Sequence, residues 1–173
     1  KPALMARVVE RLNLDVQYEI RGHLRNTTIY GSSLPVEVQF FNKEALDNLQ
    51  FDMHVKDRNT VQVKYEDGGK TKKFDVRMNR ISKMPFGYII IRPTTAFDSR
   101  TDDDITVTKT SIEAATGHFL SGLVVANTND ESSVIDLSLS DVNIERADDA
   151  LNTLIAIYNE MWVENRNQVV VAT

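Results

Sequence analysis

Three histidines, a cluster of aspartates and scattered serines are the residues of this chain with the chemistry for a reactive or metal-binding centre. His23, His54 and His118 lie far apart, and none has a second ligand type at helical or hairpin spacing. A zinc site needs such pairs, so all three read as ordinary surface or packing residues. Asp98, Asp102, Asp103 and Asp104 could offer oxygen ligands to a hard cation. They lack the alternating spacing and the distal bidentate glutamate of a calcium loop, so they read as a solvated loop. Gly68 and Gly69 fall between strand patterns with no following helix, and therefore form no phosphate-binding turn. Ser32, Ser33, Ser132 and Ser133 sit in turn-like stretches with no sequence sign of a histidine partner. Nothing singles out a carboxylate pair of the kind that hydrolyses glycosides, although folding could bring one together. The fragment therefore reads as non-catalytic, with no metal or cofactor of its own.

Two weaker features could make contacts. Tyr158 and Trp162 stand four apart in a helical pattern and could stack on a sugar. The reading preferred here places Tyr158 in the core and Trp162 against a partner helix. Lys70, Lys72 and Lys73 form a small basic group at a hairpin tip, where an acidic glycan could meet them. Such tips more often serve only solubility.

These residues must be positioned by a fold of 173 residues, long enough for a real hydrophobic core. The composition, 42% hydrophobic and 26% charged, is that of a globular domain. A net charge of −5 gives no general attraction to nucleic acid or anionic lipid. There is no cysteine, which excludes disulfides and thiolate metal sites. No apolar run approaches the roughly 20 residues that span a bilayer. The chain opens at Lys1 directly in a helical pattern and closes in another, so it reads as a segment of a longer protein.

Pro2 suits a first helical turn, and Leu4, Val8 and Leu12 recur at helical spacing. Val36, Val38 and Phe40 alternate with polar residues, as do Phe51, Met53 and Val55, then Val61, Val63 and Tyr65. Asp67, Gly68 and Gly69 read as a tight hairpin turn leading to Phe74, Val76 and Met78. Tyr88 to Ile91 is a more buried strand, 94–104 a polar loop, and Ile105 with Val107 another strand. Thr110 and Glu113 have capping-box spacing for a short helix. A strand, a turn and a strand follow, from Leu123 to Leu139. Asn143 caps a long helix from about Ile144 to about Val170, with an apolar stripe of Ala147, Leu151, Leu154, Tyr158 and Met161. The stripe thins beyond Asn165, so that end is expected to project from the core. This order predicts an α+β fold, a mixed or antiparallel sheet flanked by helices, with a long C-terminal helix and an extra β-rich segment at 51–92.

Two stretches carry a resemblance. Arg7 to Asp15 is an amphipathic helix with a Leu12-Asn13-Leu14-Asp15 exit. Asp104 to Ala115 is a strand-to-helix passage, followed by Leu123 to Ala126, Val134 to Ser140, and the helical residues Ala150, Leu151, Asn152, Ile155, Tyr158 and Asn159. In this order the pieces resemble the extracytoplasmic region of polysaccharide co-polymerases, the Wzz-like chain-length determinants and their tyrosine-autokinase relatives. Many members of that family have proline where the long helix begins, and here Asn143 and Ile144 stand instead. The resemblance implies one periplasmic domain, 1–173, in an inner-membrane protein with two flanking transmembrane helices. It implies homo-oligomeric rings, control of capsule or exopolysaccharide chain length and export, and contact with the polymerase and export machinery. A cytoplasmic autokinase using ATP and magnesium would lie elsewhere in the parent. Polysaccharide itself is a candidate ligand, and nucleic acid is not expected. The alternative is a saccharide-binding module of the cell envelope without a kinase.

Overall fold

The computed structural model describes residues 2–41, 47–98, 102–127, 130–131 and 134–172, with residues 171 and 172 described by backbone only. Ser132 and Ser133 lie outside the described residues. The chain forms two compact units, one of residues 1–15 and 112–173 and one of residues 16–111.

The first unit contains three helices and a hairpin. Helix α1 (Pro2–Leu12) buries Met5, Val8 and Val9. It ends where Asn13 turns left-handed (φ 53°), and Leu14 N–H reaches back to the Val9 carbonyl at 2.9 Å. That six-to-one bond satisfies a carbonyl that the helix itself cannot. Helix α2 (Ile112–Gly122) buries Ala115, Thr116 and Phe119. Strands β10 (Leu123–Asn127) and β11 (Ile135–Leu139) pair antiparallel, and helix α3 (Ile144–Ala172) completes the unit. Helix α1 packs on both α2 and α3, and α3 also touches β11.

Strands β1–β9 make up the second unit. A six-stranded sheet has the order β2-β1-β9-β4-β5-β6, formed by β1 (Val16–Arg21), β2 (Asn26–Ile29), β4 (Leu49–Val55), β5 (Thr60–Asp67), β6 (Lys70–Arg77) and β9 (Ile105–Lys109). A three-stranded sheet has the order β3-β8-β7, formed by β3 (Val36–Phe40), β7 (Ser82–Met84) and β8 (Gly87–Pro93). Every described pairing is antiparallel. Both sheets feed one core, in which Phe51, Met53, Val61, Val63, Ile105 and Val107 of the larger meet Val36, Val38, Phe40, Ile89 and Ile91 of the smaller. At the margin of this core the partly buried Phe86 stacks on Phe51, their centroids 5.2 Å apart, with Tyr65 edge-on to Phe86 at 5.1 Å. The Tyr18 hydroxyl ties the layers together by accepting the Val38 N–H at 2.8 Å.

The fold is thus α+β with antiparallel sheets and a long C-terminal helix, as the order of elements predicts. The β-rich middle is wider than 51–92. It starts at Val16, and β1, β2 and β7 are strands that the sequence reading did not assign. Gly68 (φ 58°) and Gly69 (φ 82°) form the two-residue turn of the β5–β6 hairpin, where both central residues need positive φ.

Candidate functional site

Helix α3 carries two apolar stripes. The buried one is Ala147, Ala150, Leu154 and Ile157, spaced three, four and three residues. Tyr158 is not on it, contrary to the core position expected. It lies one residue, about 100°, round the helix from Ile157 and is 59% exposed. The second stripe is exposed and consists of Ile155, Tyr158, Trp162 (55% exposed) and Val169. Ile155, Trp162 and Val169 recur every seven residues, the period that keeps a helix seam against a neighbouring helix. Arg166 lays its guanidinium over the Trp162 ring, 5.3 Å from the centroid. From Trp162 to Val170 every residue is exposed, so the end of α3 stands clear of the helical core.

The base of this helix is held firmly. The Asn143 side chain accepts the Arg146 N–H at 2.9 Å and caps the N-terminus. Arg146 and Asp141 form a bidentate pair, Nε donating to Oδ2 at 2.5 Å and Nη2 to Oδ1 at 2.7 Å. Both side chains are almost wholly buried. Burial alone would push the Asp141 carboxyl up. The Arg146 hydrogen bonds and charge, helped by the Val142 N–H and His118, outweigh burial and hold it below the usual carboxylate range. Arg146 also lies over the Phe119 ring of α2 at 5.2 Å. At mid-helix Glu160 makes a bidentate bond with Arg11 of α1 at 3.1 and 3.0 Å, which keeps its carboxyl below the ordinary range.

The three lysines do not form one patch. Strand alternation sends Lys73 to the face of β6 opposite that of Lys70 and Lys72. Lys72 is paired with Asp67 at 3.1 Å. The acidic loop, by contrast, gains a partner invisible to local spacing. His54 Nδ1 lies 2.9 Å from Asp104 and Nε2 lies 3.9 Å from Asp102. Among the described residues no group of three or more His, Asp or Glu is arranged to hold a metal ion. His23 is exposed, and His118 lies 3.8 Å from Asp141. Ser33 is used locally, accepting the Tyr30 N–H and donating to the Tyr30 carbonyl, both at 2.9 Å.

The chain matches no family model and no curated protein. No helix among the described residues is long and apolar enough to cross a membrane.

One group of residues escaped sequence reasoning altogether. Arg21, Gln50, Phe51, Asp52, Lys64 and Glu66 line an open depression of about 180 Å³ on the six-stranded sheet. They come from β1, β4 and β5, which are distant in sequence and are brought together only by strand pairing.

Proposed function

We propose that the chain is the periplasmic domain of an inner-membrane polysaccharide co-polymerase. It regulates capsular or exopolysaccharide chain length, assembly and export, and is linked to a cytoplasmic tyrosine autokinase in the parent protein. The observation that carries the reading is the exposed seam on α3. A helix anchored at its base by a buried ion pair, and bearing Ile155, Tyr158 and Trp162 in water, is built to meet a neighbour. In this reading the neighbour is the same helix face region of an adjacent subunit in a ring. Residues 1–15 and 112–173, which carry most of the stretches behind the resemblance, form one compact unit, and this supports the reading. The mechanism is mechanical, with the assembled rings presenting a surface to the polymerase and the export channel.

The test is the oligomeric state of the membrane-anchored parent carrying Trp162→Ala or Tyr158→Ala, measured by light scattering in detergent and by cross-linking in membranes. Both side chains are exposed, so folding is expected to be unaffected. Smaller or broken rings are expected. Rings of unchanged size and stability in both variants would refute the reading.

A further inference from the structure

We propose that the outward face of the six-stranded sheet binds a saccharide directly, in the depression framed by Arg21, Gln50, Asp52, Lys64 and Glu66. This goes beyond the assembly reading and stands on a different unit of the protein.

The inference starts from register. Glu19, Thr106, Asp52, Lys64 and Lys73 are consecutive partners across β1, β9, β4, β5 and β6, so they form one row on one face. Gln50 and Glu66 lie two residues further along β4 and β5 and point the same way. Four side chains thus rise from a rectangle of roughly 5 by 7 Å, set by strand spacing and residue rise. That is about the span of one pyranose ring.

Chemical inventory narrows the ligand. The formal charges of Arg21 and Lys64 cancel those of Asp52 and Glu66. A phosphate or nucleic-acid site would need an excess of cations, and a metal site an excess of oxygen ligands. Alternating donors and acceptors with no net charge suit a ligand that itself alternates both, which a polyhydroxylated sugar does at every carbon. Planar amide, carboxylate and guanidinium groups can each engage two neighbouring hydroxyls.

These groups are also unspent. The Gln50, Lys64 and Glu66 side chains have no hydrogen-bond or ion-pair partner among the described residues. Elsewhere on this sheet opposite charges do pair, Lys56 with Asp75 at 3.3 Å and Lys72 with Asp67 at 3.1 Å. Asp52 is oriented by its cross-strand neighbour. The Thr106 hydroxyl, on a residue only 2% exposed, donates to its Oδ1 at 2.8 Å, and Arg21 approaches the same oxygen at 3.8 Å. Oδ2 has no described partner. A carboxylate fixed by a buried hydroxyl, with its second oxygen available, is preorganised for a hydroxyl donor.

The experiment records amide NMR spectra of the 173-residue chain during titration with glucose, galactose, N-acetylglucosamine and cellohexaose, with glycerol and inorganic phosphate as controls. A sugar of about a dozen heavy atoms at ordinary ligand efficiency gives a dissociation constant on the order of 1–10 mM. Shifts confined to residues 21, 50–52, 64–66 and the Gln50 side-chain amide are expected from at least one sugar and from neither control. Asp52→Asn and Lys64→Met, each confirmed as folded by an otherwise unchanged spectrum, should weaken binding about tenfold or more. No perturbation by any sugar, equal response in the variants, or equal response to glycerol or phosphate would each overturn the proposal. Release of new reducing ends from cellohexaose would also overturn it, since a binding site leaves the oligomer intact.

Discussion

Asp141→Asn is the sharpest probe of how the helical unit is held. The substitution keeps side-chain volume and one acceptor oxygen but removes the charge that faces Arg146. The two side chains are 1% and 4% exposed, so water cannot rescue the guanidinium. Removing one partner of a buried, doubly hydrogen-bonded pair costs about 3–5 kcal/mol. Small domains are stable by about 5–15 kcal/mol, so about a fifth of the total or more is at stake. At a urea slope of about 2 kcal/mol/M, the unfolding midpoint falls by about 2 M. Two controls isolate the cause. Replacing both partners with apolar residues, Asp141→Leu with Arg146→Met, should recover most of the loss, because no buried charge remains. Acid titration supplies the second. The native carboxyl lies below its unfolded value, so its stabilisation is complete above about pH 4 and is lost as pH falls further through the native value. Asp141→Asn should remove that part of the acid slope. A midpoint shift below about 0.25 M, about 0.5 kcal/mol at that slope, together with an unchanged acid slope, would refute the reasoning.

Tyr18→Phe removes the hydroxyl that accepts the buried Val38 N–H and leaves that donor without its acceptor, so chemical denaturation should report a loss of about 1–3 kcal/mol. The two glycines of α2 should respond oppositely to alanine. At Gly122 a Cβ would sit 2.3 Å from the Ser140 carbonyl oxygen and force apart the start of β10 and the end of β11, lowering the melting temperature. At Gly117 a Cβ meets nothing within 4 Å, so Gly117→Ala should stabilise the helix by about 0.5–1 kcal/mol.

Local patterns reveal local structure here. The alternation at Val36, Val38 and Phe40 appears as alternating buried and exposed positions in β3. Two glycines after Asp67 specify their own turn, and Asn143 caps the helix by its own side chain. Val16, Tyr18 and Ile20 also alternate with polar residues, so β1 carried a signal that the sequence reading overlooked. What no local pattern carries is strand order. β9 lies between β1 and β4, and that non-local pairing gathers Arg21, Asp52 and Lys64 and brings His54 beside Asp104. The misplacement of Tyr158 has a different source. Ile157 and Tyr158 are both apolar and adjacent, so helical spacing alone fits either, and only the packed partner decides which is buried.

The first and last strands of the sandwich are neighbours, with Val16 opposite Lys109 in an antiparallel register. The chain therefore departs into the β unit and comes back across a single interstrand gap of about 5 Å. A segment attached this way is a cassette. Because its two ends lie one strand apart, its length can change without stretching the polypeptide that joins α1 to α2. Such a joint lets the β face vary in sequence while the helices keep their own constraints.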